Sequence, residues 1–328
     1  ERGWSRRAQL KTKHTYSKVT VVGIGQVGMA AIISMLTQGV TNQIVMIDTR
    51  ADKLEGEALD ILHGSIFVNN PNIQGSTDYA ISEGSKICII CAGVRQRHKE
   101  TRLDLVQRNT EVLKKIIPEL VKYIPDAIYI VATNPVDILT CVAWKISGLP
   151  KHRMIGSGTL LDSARFRYLI AQRLGIATTS VDAYIIGEHG NSMVPVWSGV
   201  NIAGVRLREL NPSLATDQDP ENWNDIHSHL IKAAYNVRSL KGFTSWAIGL
   251  SITRIVYAML TDSHRVFTVS TYVQGIHEIE DEVFLSLPAV LSHEGVGGVI
   301  NQALTDNEKR KFQKSAKLMA QIMADVKI

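Results

Sequence analysis

The stretch Val21-Val22-Gly23-Ile24-Gly25-Gln26-Val27-Gly28 constrains the fold of this chain more than any other. It sets G-x-G-x-x-G directly after a predicted strand, Lys18 to Val22, and at the opening of a predicted helix from about Gln26 to Gln38. Glycines at 23 and 25 permit a tight turn and let the backbone approach a pyrophosphate. Gly28 lets the helix pack closely on the strand, and the helix N-terminus then faces the phosphates. Gln26 and Val27, inside the fingerprint, are assigned to the same site. Glycines also mark ordinary turns, so the fingerprint needs a companion. Asp48 supplies it, at the end of the apolar run Ile44-Val45-Met46-Ile47. Its carboxylate can accept both ribose hydroxyls and would repel a 2′-phosphate, which points to NAD rather than NADP. Arg50 nearby slightly weakens that exclusion.

The rest of the first half alternates strand and helix, the pattern of a doubly wound parallel α/β sheet. Strands are predicted at Gln43 to Ile47, Ile87 to Cys91 and Ala127 to Val131, with helices at Lys53 to His63 and Leu103 to Tyr123. Breakers then cluster at Gly148-Leu149-Pro150 and Gly156-Ser157-Gly158, and a domain boundary is placed there. Three segments follow from this: an arm at 1–18, a Rossmann dinucleotide-binding domain at 19–157 and an α+β substrate domain at 158–328. The second domain is read as a helix over Leu160 to Leu174, a strand into Gly187, helices between Pro220 and Leu260, β-like segments from Val266 to Leu287 and a closing charged helix from Thr305.

Composition excludes several classes. With 45% hydrophobic and 20% charged residues among 328, the chain is an ordinary globular protein of about two domains. No apolar run is long enough for a membrane span. A net charge of +5 is spread along the chain, which reads as a solvated surface and not a nucleic-acid face. Three cysteines argue for a reducing compartment, and hence a cytoplasmic location. Cys88 and Cys91 have a C-x-x-C spacing but fall in a predicted buried strand. Residues three apart on a strand point to opposite faces, so they cannot share a metal or a disulfide; no metal site is expected. The polar, basic start, with Glu1 in place of Met, reads either as an extended arm or as a fragment of a transit peptide.

A second segment carries the chemistry. In Gly187-Glu188-His189-Gly190-Asn191-Ser192, one histidine sits between glycines after the apolar run Ala183 to Ile186. Imidazole is the side chain best suited to exchanging protons near pH 7. Leu161-Asp162-Ser163-Ala164-Arg165 places a carboxylate and a guanidinium on one helix face, where they could equally form a plain surface ion pair. Together these segments resemble the lactate/malate dehydrogenase family, and within it the L-lactate dehydrogenases of animal type.

The resemblance implies a set of roles. His189 would give a proton to the carbonyl oxygen of pyruvate as NADH delivers hydride, and Asp162 would fix its tautomer and favour the charged ring. Arg165 would grip the substrate carboxylate in a two-pronged pair. Gln96 to Arg102 looks like the family's mobile loop, with Arg102 polarising the reacting carbonyl. Arg95 matches a residue on the cofactor phosphates, although a solvated loop charge is the alternative. Asn134, in Thr133-Asn134-Pro135-Val136-Asp137, matches a residue touching nicotinamide and substrate. Thr244 matches one lining the side-chain pocket. Ile248 matches an apolar residue on the nicotinamide, and core packing would explain it as well. The family also implies a homotetramer in which the arm crosses a neighbouring subunit.

Substrate choice turns on position 96, glutamine in lactate dehydrogenases and arginine in malate dehydrogenases. Neutral Gln96 would leave the second carboxylate of oxaloacetate buried without a cation, which favours pyruvate and lactate. Malate, or a broader range of 2-hydroxy acids, is the alternative, because Arg95 and Arg97 flank Gln96. The departures from the family are His98-Lys99 in the loop, Asn191 after the His-Gly pair and Phe267-Thr268 further on. Asp182 stands where relatives activated by fructose 1,6-bisphosphate carry histidine, so no such activation is expected.

Overall fold

The computed structural model of the chain describes residues 17–95 and 100–328. Val19–Val22 (β1), Gln43–Ile47 (β2), Asn72–Ser76 (β3), Ile87–Ile90 (β4), Ile128–Val131 (β5) and Met154–Gly156 (β6) pair in the order β6-β5-β4-β1-β2-β3, all parallel. Val19 lies opposite Ile44 on one side and Ile87 on the other. The chain therefore winds outward from β1 through β2 and β3, then returns to start β4 on the far side. That reversal opens a crevice at the carboxyl ends of β1 and β4, where doubly wound sheets bind ligands.

Helices Gln26–Thr37 (α1), Ala51–His63 (α2), Arg102–Tyr123 (α3) and Val136–Ser147 (α4) connect these strands. Every residue of β1, β4 and β5 is buried, as expected for parallel strands covered on both faces. Alternate residues feed two cores. Val22, Cys88 and Ile90 face one that includes α3 and α4, whereas Val21, Ile87 and Ile89 face the other, which includes α1. Cys88 lies in the first core and Cys91 packs against the second, so the two thiols point apart and both are free. Burial pushes both thiols up, Cys91 to about 12.

The second half contributes Leu160–Leu174 (α5), Val181–Asp182 (β7), Ile185–Ile186 (β8), Val194–Pro195 (β9), Asn201–Ile202 (β10), Val205–Arg206 (β11), Leu207–Leu210 (α6), Asp225–Lys241 (α7), Trp246–Leu260 (α8), Arg265–Tyr272 (β12), Phe284–Ser292 (β13), Gly295–Val299 (β14) and Asp306–Ala324 (α9). β12 joins β6 antiparallel at Ser270 opposite Gly156, and β13 and β14 follow. Among the described residues the main sheet has nine strands and runs without interruption past the breakers at 156–158. α8 lies on α1 at close range. A methyl group added to Gly249 would sit 2.7 Å from the carbonyl carbon of Ala30.

Three strands of the main sheet were not foreseen. β3 reads Asn-Ile-Gln-Gly-Ser and is an edge strand with a largely exposed pattern. β6 has three residues, all buried, and ends inside the glycine cluster taken for a boundary. β14 is glycine-rich. Each is held by a neighbouring strand and has little strand propensity of its own.

Candidate active site

The turn after β1 has the shape the fingerprint predicts. Gly23 has φ +89°, and a Cβ there would lie 2.4 Å from the Ala92 nitrogen; at Gly28 it would lie 2.2 Å from the Gly23 oxygen. Both positions need glycine. The Cβ direction of Gly25, by contrast, meets no atom within 4 Å, and Gly25 and Gln26 are exposed while Val27 is half-buried. The open side of the turn is a cradle for a pyrophosphate at the N-terminus of α1. Asp48 stands at the end of β2 with its Oδ2 accepting the Ile24 N–H at 3.0 Å and its Oδ1 accepting the Arg50 N–H at 3.3 Å. Lys53 of α2 donates to the Ile24 carbonyl at 2.5 Å. Arg50 pairs with Asp52 at the surface. These residues fit an NAD dinucleotide.

His189 sits in the short connection between β8 and β9, which pair antiparallel at Ile185–Pro195 and Ile186–Val194. Three successive backbone N–H groups pin that connection to three elements. The Gly187 N–H donates to the Ser286 carbonyl of β13 at 2.9 Å, the Glu188 N–H to Ser315 Oγ of α9 at 3.2 Å, and the His189 N–H to Asp137 Oδ2 of α4 at 2.7 Å. The imidazole is left partly open, 24% exposed, with Nδ1 against Asp162 Oδ2 at 2.5 Å. Asp162, in the first turn of α5, is fully buried. Its other oxygen accepts Arg165 Nη1 at 2.9 Å. The ion pair and the histidine contact, which the sequence offered as competing readings, exist together on one carboxylate.

The electrostatics follow from that arrangement. The Asp162 carboxylate raises His189 above the ordinary imidazole range, against the opposing effect of burial, and Asp137 adds to the rise. Burial alone would push Asp162 up. The charges of His189 and Arg165 outweigh it and hold Asp162 below the usual carboxylate range. The neighbouring charges thus favour a protonated ring that keeps partial access to solvent.

Arg102 is the first residue of α3, which Thr101 caps through a reciprocal pair with Asp104. Its guanidinium reaches across to the buried carboxylate of Glu188, the neighbour of His189. Glu188 also accepts the Ser192 hydroxyl, and its side chain folds beneath Gly190, where a Cβ would lie 2.7 Å from Oε1. Asn134 is exposed at the end of β5, three residues before Asp137. Thr244 is half-buried between α7 and α8, and Ile248 on α8 packs against the core that contains α1. Arg95 is exposed, and its carbonyl accepts Arg108 at 2.9 Å. Asp182 faces Arg167 at 3.8 Å. Gln96 and the rest of the loop through Lys99, like residues 1–16, lie outside the described residues.

Sequence reasoning missed Glu188 and Asp137 as members of the site. Both stand inside motifs already singled out, but their partners are distant in sequence, at Arg102 and at His189 and Ser270. Only the fold brings them in.

A doubly wound sheet with this turn, and a carboxylate-held imidazole beside an arginine, defines an NAD-dependent dehydrogenase. Residues 17–156 match the lactate/malate dehydrogenase NAD-binding domain, and residues 159–327 match the lactate/malate dehydrogenase alpha/beta C-terminal domain. The chain belongs to the lactate/malate dehydrogenase family. It is 53% identical over 320 residues to the L-lactate dehydrogenase B chain of Bos taurus, covering 98% of this chain and 96% of the relative. Identity to the B chain of Homo sapiens is 53% and to that of Gallus gallus 54%, each over 311 residues, 95% of this chain and 93% of the relative.

Proposed function

We propose that this protein is an NAD-dependent L-lactate dehydrogenase that reversibly reduces pyruvate to L-lactate. The observation that carries the reading is the double engagement of Asp162 with His189 and Arg165, in a chain 53% identical to L-lactate dehydrogenase B chains. NADH, when bound, supplies the hydride. His189 gives the proton to the carbonyl oxygen, or takes it back in the reverse direction, with Asp162 stabilising the charged ring. Arg165 fixes the substrate carboxylate. Arg102 exchanges Glu188 for the carbonyl oxygen, where it stabilises developing charge. Asn134 and Thr244 line the substrate side, and Arg95 and Ile248 the cofactor side.

Malate is the second reading. Gln96 argues against it, because a neutral residue leaves the second carboxylate of oxaloacetate unpaired. Side-by-side measurement of kcat/KM for pyruvate and oxaloacetate with NADH tests the assignment. Preference for pyruvate is expected, and preference for oxaloacetate overturns it.

The protein works in the cytoplasm as a homotetramer, with the substrate domain beginning near residue 158. No described helix is long and apolar enough to cross a membrane. Leu59, Leu62, Ile66 and Phe67, on and just after α2, are exposed together, as are Trp246 and Leu250 on α8. Apolar surface of this kind supports burial against another subunit.

A further inference from the structure

Asp137 is a buried carboxylate, 2% exposed, in the first turn of α4. Its Oδ2 accepts the His189 backbone N–H at 2.7 Å, and its Oδ1 accepts the Ser270 hydroxyl of β12 at 2.6 Å. Among the described residues no lysine or arginine pairs with it. A buried charge without a cation is costly, and asparagine could satisfy both contacts without it. Its carbonyl oxygen would accept the N–H, and its amide would donate to the Ser270 oxygen. Hydrogen bonding therefore does not account for the negative charge.

We propose that Asp137 is a positioning residue for His189, anchoring its backbone and placing a second negative charge near the ring in addition to that of Asp162. This rests on the reading of His189 as the proton donor and acceptor. The charged groups around His189 are Asp162 against the ring, Arg165 on the other oxygen of Asp162, Asp137 from α4 on the backbone N–H, and the adjacent Glu188, itself paired with Arg102 from α3. Asp162 and Asp137 both favour the charged ring, and Arg165 opposes it. Burial pushes Asp137 itself up to about 6, so it carries its charge at neutral pH and loses it below.

The consequence is directional. Pyruvate reduction needs the protonated ring, so its kcat/KM falls as pH rises through the His189 pKa. Lactate oxidation needs the neutral ring and rises over the same range. Asp137→Asn keeps the hydrogen bonds and removes the charge, so both limbs should move to lower pH by roughly half a unit or more. At any one pH the overall equilibrium fixes the ratio of the two kcat/KM values when cofactor affinities are unchanged. The signature is therefore the position of the limbs, half a unit being about a threefold change in the acid dissociation constant. Damage to the site would instead lower both profiles at every pH and leave their limbs in place.

The test is a pair of pH profiles for the full-length enzyme, with NADH affinity measured by fluorescence titration. Ser270→Ala is the second variant. It leaves Asp137 in place but removes the hydroxyl that helps keep it ionised, and should move both limbs the same way by less. It also keeps the test open if Asp137→Asn does not fold. Acid-shifted limbs with NADH affinity retained support the inference. Limbs that stay in place, with or without a uniform loss of rate, overturn it while His189→Asn remains inactive. A His189→Asn enzyme that still turns over overturns the underlying reading instead, and this inference with it.

Discussion

The guanidinium of Arg102 is ion-paired with the buried carboxylate of Glu188, the residue immediately before His189. The group proposed to act on the substrate carbonyl is thus held one residue from His189. Arg102→Gln should lower kcat by ~10²–10³, the usual loss of one charge-stabilising donor. It should also cost about 1–3 kcal/mol of stability, because Glu188 stays buried without its cation. Adding Glu188→Gln should restore the urea midpoint but not the turnover. Recovery of turnover in the double variant would mean that Arg102 acts only through Glu188.

His189→Asn should lose ~10²–10⁴ of turnover with NADH affinity nearly unchanged. Activity within about tenfold of the parent would remove His189 from the mechanism. Asp162→Asn tests its partner. The Asp162 charge is the largest cause of the raised His189 pKa, so without it the falling limb of pyruvate reduction moves to lower pH. An unmoved limb would show that another group sets the protonation of the ring.

Gln96→Arg should shift preference from pyruvate toward oxaloacetate, by supplying a cation for the second carboxylate. Discrimination by a matched or missing polar group reaches ~10⁴–10⁵ in favourable sites. His98-Lys99 in the same loop argues for a smaller change here. A ratio of kcat/KM for the two substrates that stays put would place specificity elsewhere, with Arg95 or Arg97 the first candidates.

Asp137 also makes a prediction about stability. Its folded pKa is raised, to about 6, above the ordinary aspartate value. A raised carboxyl pKa favours the folded state at low pH, and that contribution is lost as pH climbs from about 4 through 6. Asp137→Asn removes the dependence, so its advantage over the parent should grow across that window, to about 1–3 kcal/mol above it. Chemical denaturation at pH 4.5 and 7.5 reads the difference. A variant less stable than the parent at the higher pH contradicts the picture of a charge held at a cost.

Assembly is tested by removing residues 1–18. Sedimentation at low protein concentration should show tetramers weakened toward dimers. An unchanged profile would count against a role for the arm.

Where local pattern and global packing agree, the sequence was legible. Gln43–Ile47 and Leu160–Leu174 fall where alternation and helical period put them, and Gly23, Gly28 and Asp48 stand around one turn. The pairing of Asp162 with Arg165 followed from helical spacing alone. What escaped depends on contacts between distant segments. Asn72–Ser76 is a strand because β2 pairs with it, and Met154–Gly156 because β5 and β12 flank it. Nothing in the composition of Glu188 or Asp137 marks them. Their roles come from α3, β12 and the histidine loop meeting at one place.

The pairing of Gly156 with Ser270 bears on how this protein can be taken apart. Modular enzymes can often be cut at a linker and their halves recombined. Here a cut at 157 would strip β12 from β6, leaving each fragment an unprotected strand margin, the buried Met154–Gly156 on one and Arg265–Tyr272 on the other. Such margins recruit other chains and aggregate. Chimaeras with relatives should therefore exchange loops or single helices at the site, because the two halves are one piece of β-fabric.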